Sequence, residues 1–167
     1  RSRDILNQIT DMDLNDINFY WFTVGSIDGN SATISRTGYT GELGFEIYAD
    51  PKSIIKIWDA IFSIGGEAIL PVGLGCRNTL RMEMKYALYG NDIDENTNPI
   101  EAGLGWITKL NKGNFIGKNA LVNAKENQTR RLICFQMNDR GIPRKGHPIK
   151  HGSGVIGKVT SGTQSPS

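Results

Sequence analysis

The feature that most constrains the fold of this 167-residue chain is a hairpin signal in its first 40 residues. Residues 19–24 and 31–36 are rich in aromatic and β-branched residues, and Asp28-Gly29-Asn30 lies between them. Asp and Gly tolerate the positive φ angles that a tight turn between antiparallel strands needs. The sequence therefore predicts an antiparallel sheet, to which residues 44–48 add a third strand.

Helical patterns flank these strands. Residues 2–9 place apolar side chains on one face, with Ser2 as a candidate N-cap. Asp50-Pro51 supplies a cap and a first-turn proline for a helix that ends at Gly65-Gly66 and should pack on the sheet. The remaining elements are predicted helices over 74–86 and 117–126 and predicted strands over 104–108, 131–137 and 152–160.

A polar run at residues 125–129 marks a change in this pattern. Helices and strands are mixed before it, whereas only strands, turns and a basic connection at 140–151 are predicted after it. We therefore predict an α+β domain over residues 1–127, with an antiparallel sheet packed with helices, and the start of an all-β domain over residues 128–167. Both ends of the chain are expected to lie inside domains of a longer protein, because the last predicted strand has no partner.

Composition and spacing argue against several classes of function. The longest apolar stretch, 54–64, is interrupted by charged residues, so no membrane segment is predicted. The net charge of +2 comes from interspersed charges, which gives no support for nucleic-acid binding. His147 and His151 would suit a metal only on a helix, which Pro148 opposes, so no metal site is predicted.

The stretch 36–48 is the best candidate for a binding site. If 44–48 is a strand, Glu46 and Tyr48 lie on the face opposite Phe45 and Ile47. A carboxylate on a covered face needs donors, and the 2-aminopyrimidinone edge of a pterin offers two parallel N–H groups. Arg77 could orient that carboxylate or meet a ligand acceptor. From the residues alone, an exposed Glu46 with an ordinary surface Arg77 is the other interpretation.

A resemblance to a known family bears on this choice. The segment Arg36-Thr37-Gly38-Tyr39-Thr40-Gly41-Glu42-Leu43-Gly44-Phe45-Glu46 is similar to the R-x-G-Y-T-G-E-x-G-x-E segment of glycine cleavage T-proteins. Residues 73–83 resemble that family's G-L-G-A-R-D-x-L-R-L-E helix, and residues 88–95 its L-Y-G-N-D-I-D/N-E loop. Residues 99–106, 115–118 and 159–167 extend the similarity over nearly the whole chain, with Cys76 and Asn78 as departures from the usual Ala and Asp.

The resemblance implies a fold and an activity. The fold would be a ferredoxin-like type folate-binding domain, of which residues 1–127 are a part, followed by the truncated start of a C-terminal β-barrel domain at 128–167. The activity would be that of a tetrahydrofolate-dependent aminomethyltransferase of glycine catabolism. Such an enzyme takes an aminomethyl group from the lipoyl arm of its partner H-protein, releases ammonia and transfers the one-carbon unit to tetrahydrofolate.

The resemblance also implies roles for individual residues. Glu46 would bind the pterin ring, Arg77 would be a second folate contact, and Tyr39 would line the same region. No catalytic residue is expected in this chain, because the family's key acidic residue lies in an N-terminal segment ahead of the matched part. A further folate-contacting Arg belongs to the end of the family's last domain. We expect the isolated chain to be inactive and to bind folate weakly. The remaining polar residues of the matched loops are expected to shape those loops, namely Glu42, Tyr89, Asn91 and Asp92.

Two alternatives stay open. One is the folate-binding domain of a sarcosine- or dimethylglycine-dehydrogenase-type enzyme. The other is a non-catalytic folate-binding protein of iron-sulfur cluster assembly, whose K-G-C-[YF]-x-G-Q segment has no Cys or Gln counterpart in residues 112–118. We expect a cytoplasmic location in a bacterium or the mitochondrial matrix in a eukaryote, and self-association of the isolated chain through an open sheet edge.

Overall fold

The computed structural model describes residues 1–166. Close contacts divide the chain into two units, Arg1–Leu80 and the residues from Arg81 onward. The elements in chain order are α1 (Ser2–Leu6), β1 (Phe22–Ile27), β2 (Asn30–Ser35), β3 (Glu46–Tyr48), α2 (Pro51–Gly65), a 3₁₀ turn (Gly66–Ala68), α3 (Leu74–Glu83), α4 (Lys118–Glu126), β4 (Pro148–His151) and β5 (Gly154–Lys158).

A two-residue turn sets the register of the first unit's sheet. Asp28 and Gly29 have φ angles of 48° and 68°, the left-handed values that a type I′ turn requires at both central positions. Ile27 and Asn30 form the strand pair next to the turn. The predicted hairpin is therefore confirmed.

The first strand of this hairpin is displaced from its predicted position. It covers Phe22–Ile27 rather than residues 19–24. The aromatic run before it turns instead of extending, since Tyr20 has a φ of 67° and the amide of Trp21 donates to the carbonyl of Asn18 at 2.9 Å. Aromatic composition alone did not locate the strand, because β-propensity reflects packing against neighbours more than an intrinsic backbone preference.

The three strands form an antiparallel sheet in the order β1-β2-β3 with one buried face. Side chains on the inner face pack with α1 and α2 into a single core. The core residues are Leu6, Leu14, Ile17, Ile27, Ala32, Ile34 and Ile57, each at most 5% exposed. The outer face carries Phe22, Val24 and Tyr48, all more than half exposed. This arrangement confirms the prediction of an antiparallel sheet packed with helices.

Local signals define α2 at both ends. The Asp50 carboxylate accepts hydrogen bonds from the amides of Lys52 and Ser53 at 2.9 and 3.2 Å, and Pro51 occupies the first turn, as predicted. Gly66 ends the helix with a φ of 47°, a value that favours glycine.

The predicted N-cap of α1 is wrong. Ser2 is the first helical residue, and its hydroxyl donates to the carbonyl of Leu43 at 3.0 Å. The helix ends at Leu6, and Ile9 packs against the core from a turn. The apolar pattern thus marked core residues correctly but overestimated the length of the helix.

The second unit has less regular structure than the sequence predicts. The helix predicted at 117–126 is present as α4, and the strand predicted at 152–160 is present as β5. Strand β4 lies in the region interpreted as a connection, and it pairs with β5. Residues 104–108 form turns, and residues 131–137 are outside helices and strands. The end of this unit is therefore one antiparallel hairpin.

Candidate functional site

The Glu46 carboxylate lies at the edge of the sheet's outer face. Glu46 is the first residue of β3 and pairs with Ser35, the last residue of β2. Alternate residues of a strand point to the same face, so Glu46 and Tyr48 share the face opposite Ile47, as predicted. Of the two interpretations that the residues left open for this face, the structure shows the exposed one, because Glu46 and Tyr48 are both exposed.

Two hydroxyl groups accompany the carboxylate. Thr37 Oγ1 donates a short hydrogen bond to Glu46 Oε2. The same Thr37 oxygen lies 2.9 Å from Ser35 Oγ. The donor to Glu46 that sequence reasoning left unnamed is therefore Thr37, in the loop directly after β2 and two residues beyond the strand partner of Glu46.

Arg77 and Tyr39 lie together in the first unit. Arg77 is in the first turn of α3, and its guanidinium carbon lies 4.5 Å from the centre of the Tyr39 ring. That distance is within the range of a cation–π interaction, which restrains a guanidinium while leaving its N–H groups available. Arg77 is exposed and Tyr39 is half-buried.

Arg77 does not orient the Glu46 carboxylate, which was one of the two roles considered for it from the sequence. Within residues 1–166 no salt bridge joins Arg77 to Glu46. Glu46 is held by Thr37, and Arg77 is held over Tyr39. The first unit therefore presents a carboxylate that accepts N–H groups and a guanidinium that donates them, as two separately supported groups.

Sequence reasoning missed a buried ion pair in the second unit. Arg81 and Asp92 are 2% and 9% exposed, and Arg81 Nη1 lies 2.5 Å from Asp92 Oδ2. Arg81 also donates to the carbonyl of Tyr86 at 3.0 Å and to Ser161 Oγ at 2.7 Å. Asp92 accepts further hydrogen bonds, from the Leu88 amide at 2.9 Å and from Thr160 Oγ1 at 2.5 Å.

This environment shifts the titration of Asp92. Burial by itself raises the pKa of the carboxyl group. Hydrogen bonds from Thr160, the Leu88 amide, Ser161 and Arg81 outweigh burial, and the pKa of Asp92 is lowered below its ordinary value of 3.8. Asp92 is therefore ionised at neutral pH and shapes the loop after α3, in agreement with the role predicted for it.

The other loop residues have structural contacts as well. Asn91 Oδ1 and the carbonyl of Gly90 both accept from Lys145 Nζ, at 3.1 and 2.5 Å. Tyr89 is exposed, and its hydroxyl lies 3.4 Å from Glu95 Oε2. Glu42 is exposed in the loop before β3. No observed contact gives these residues a role beyond loop structure.

Residues 1–166 contain neither a cluster of metal-ligating side chains nor a helix that could span a membrane. No group of three or more His, Cys, Asp or Glu side chains in this range could hold a metal ion. His151 belongs to strand β4, so the spacing of His147 and His151 is not helical. Among the helices in the same range, none has the length and apolar character needed to cross a bilayer.

Comparison with known proteins gives a consistent family match. The family model described as the GCVT N-terminal domain matches residues 1–112. The model described as the glycine cleavage T-protein C-terminal barrel domain matches residues 130–167. The second match confirms that a C-terminal barrel domain begins in this chain.

Individual relatives agree with these models. An aminomethyltransferase of Halothermothrix orenii is 50% identical over 99% of this chain and 47% of its own length. One from Bacteroides thetaiotaomicron is 53% identical over 96% of this chain and 46% of its own length. The crystal structure of glycine cleavage system aminomethyltransferase T from Bartonella henselae superposes with a TM-score of 0.86 and 29% identity, over 98% of this chain and 45% of that one. This chain spans about half the length of the curated relatives it matches.

Proposed function

Because the chain belongs to the glycine cleavage T-protein family, we propose that its full-length protein is a tetrahydrofolate-dependent aminomethyltransferase of the glycine cleavage system. The observation that carries this proposal is that residues 1–112 and 130–167 match the two family domains in order along the chain. The two relatives named aminomethyltransferase, which are 50% and 53% identical to this chain, support the same activity.

The proposed reaction transfers one carbon between two carriers. The aminomethyl group leaves the sulfur of a dihydrolipoyl arm on the partner H-protein and joins the nitrogens of tetrahydrofolate as a methylene bridge. Nitrogen departs as ammonia, and the sulfur is left as a free thiol. Tetrahydrofolate is the co-substrate, and the lipoyl group arrives with the partner. The relatives named above are bacterial, and on that basis we propose that the reaction takes place in the bacterial cytoplasm.

Within this chain, Glu46 would recognise the pterin ring. Its exposed carboxylate can accept two parallel N–H bonds from the 2-amino group and N3 of the pterin. Recognition of this edge is selective, because a pterin that lacks one donor leaves a carboxylate lone pair without a partner.

Arg77 would be the second folate contact. Its guanidinium has N–H groups for a carbonyl or carboxylate oxygen of the ligand, and Tyr39 restrains it from one side. We assign no residue of this chain to the step in which folate attacks the one-carbon unit. In the family, the acidic residue for that step lies N-terminal to the part matched here.

The isolated chain should be inactive even where it folds. Catalysis of this kind rests on holding two carriers in a reactive geometry, which contributes about 7–11 kcal/mol in well-oriented systems. A chain that spans about half of its relatives supplies only part of the surface that orients the carriers.

The test is an activity assay on the full-length protein. Wild-type protein mixed with aminomethyl-loaded H-protein and tetrahydrofolate should form methylene-tetrahydrofolate and ammonia in equal amounts. Glu46→Gln should reduce kcat/KM for tetrahydrofolate by at least about tenfold, since it removes a charged hydrogen-bond acceptor. Glu42→Gln changes an exposed carboxylate in the loop before β3; it is the matched control and should leave the rate unchanged. Absence of product with wild-type protein would contradict the proposed function.

A further inference from the structure

The hydroxyl groups of Ser35 and Thr37 next to Glu46 form hydrogen bonds whose donors and acceptors can be assigned. A hydroxyl has one proton, and the proton of Thr37 is donated to the Glu46 carboxylate. The 2.9 Å contact between Thr37 and Ser35 must then have Ser35 as the donor and the Thr37 oxygen as the acceptor. The result is a chain that runs from Ser35 through Thr37 to Glu46 along the outer face of the sheet.

This chain leaves Glu46 able to bind a ligand. A carboxylate has about four lone-pair positions, and Thr37 occupies one of them. Two parallel N–H groups of a pterin need one position on each oxygen, so all three hydrogen bonds can exist together. The Thr37 bond therefore holds the carboxylate without competing for its ligand.

We propose that Thr37 is a positioning residue that fixes the Glu46 carboxylate for pterin binding, an inference that rests on the proposed function. An exposed Glu side chain otherwise samples many rotamers, and binding must then restrict it to one. Ser35 is held by the pairing of β2 with β3, and it fixes the Thr37 hydroxyl in turn. The strand register is thereby transmitted to the orientation of the carboxylate.

The location of Thr37 supports this role. It lies two residues after β2, in a loop that returns to the sheet at Glu46 itself. Because Glu46 pairs with Ser35, both ends of that loop are fixed by the same strand pair. The Thr37 hydroxyl thus has a constant position relative to the carboxylate it contacts.

The experiment measures tetrahydrofolate binding to the full-length protein by calorimetry under anaerobic conditions. Thr37→Val keeps the shape of the side chain and removes the hydroxyl, and it should weaken binding about tenfold, or about 1.4 kcal/mol. Thr37→Ser restores the donor and should bind within about threefold of wild type, given the size of a charge-assisted hydrogen bond. Thr33→Val makes the same substitution on the same face, next to Tyr48, and should bind like wild type.

A second ligand separates positioning from general folding. An analogue, 2-desaminotetrahydrofolate, keeps N3–H but lacks the 2-amino donor, so it makes only one bond to Glu46. Precise orientation of the carboxylate matters less for one bond than for two parallel ones. Thr37→Val should therefore weaken binding of this analogue by less than about threefold. A purely structural effect of the substitution would weaken both ligands equally.

The outcomes distinguish the two proposals. If Glu46→Gln weakens binding while Thr37→Val does not, the positioning role is overturned and the proposed function stands. An equal loss for both ligands, or a loss that Thr37→Ser does not restore, also overturns the positioning role. If Glu46→Gln binds as wild type does, the pterin site itself is misplaced and the inference falls with it.

Discussion

Replacement of Asp92 by Asn should destabilise the second unit far more than loss of a surface ion pair. Asn keeps the size of the side chain and can still accept from Arg81 or the Leu88 amide. What it removes is the negative charge next to Arg81, which is 2% exposed. The variant therefore tests the energetic effect of removing the carboxylate charge that faces the buried Arg81 guanidinium.

The expected cost follows from that burial. Removing one partner of a buried ion pair typically costs about 3–5 kcal/mol, because the remaining charge stays desolvated. We expect the lower end, about 3 kcal/mol, since Arg81 keeps its bonds to the Tyr86 carbonyl and to Ser161. The matched control is Glu101→Gln, which breaks a bridge to Arg130, a side chain that is 62% exposed. Because the Arg130 end of this pair is open to solvent, we expect a contribution of about 0–1 kcal/mol, as for a surface ion pair.

The same residue gives a pH dependence with a definite sign. The pKa of Asp92 in the folded chain lies below its ordinary value of 3.8. The ionised form is thus favoured by folding, and its contribution is present above about pH 4 and is lost as the pH falls through the folded pKa. The difference in unfolding free energy between wild type and Asp92→Asn should therefore shrink below about pH 4.

The assay needs a probe confined to the second unit. Trp106 lies in that unit, whereas Trp21 and Trp58 lie in the first, and both of these are more than half exposed. In a background that carries Trp21→Phe and Trp58→Phe, urea unfolding followed by Trp106 fluorescence reports on the second unit. A loss below about 1 kcal/mol, or one equal to that of Glu101→Gln, would refute the reasoning about the buried pair.

Further stability predictions follow from local geometry and can be checked by thermal denaturation. Asp50→Ala removes the N-cap of α2 and should lower the melting temperature of the protein. Asp59→Ala changes an exposed residue within the same helix and should have little effect on the melting temperature. In the second unit, Gly162→Ala places a Cβ in overlap with the carbonyl oxygen of Pro143 and should cost about 1–3 kcal/mol. Gly113→Ala meets no atom within 4 Å and should be close to neutral.

Elements with local signals were the predictable part of the fold. Asp50-Pro51 and Gly66 define α2 through caps that depend only on neighbouring residues, and Asp28-Gly29 defines a turn in the same way. The extent of a strand depends instead on its partners. Counting back from the turn places the strand at Phe22–Ile27, whereas the aromatic run alone placed it three residues too early.

The sequence predicted which residues belong to the candidate site but not which contacts they make. Resemblance singled out Glu46, Arg77 and Tyr39, and periodicity placed Glu46 opposite Ile47, but neither indicated that Thr37 would donate to the carboxylate. Contacts between residues separated in the chain depend on how loops return to the sheet, which residue patterns do not encode.

The burial of Arg81 in helix α3 likewise depends on long-range contacts that the sequence does not indicate. Arg77 and Arg81 are one helical turn apart and look alike in sequence, yet Arg77 is exposed and Arg81 is buried. The difference comes from Asp92, Thr160 and Ser161, which approach from distant parts of the second unit.

Tetrahydrofolate binding by the full-length protein and its Glu46→Gln variant tests the central claim most directly. Titration calorimetry under anaerobic, reducing conditions should show a single site in the wild-type protein and an affinity at least about tenfold lower in the variant, because two hydrogen bonds to a charged group are weakened. The Glu42→Gln control should bind like the wild type. Equal affinities for wild type and Glu46→Gln would contradict the assignment of the pterin site to this carboxylate.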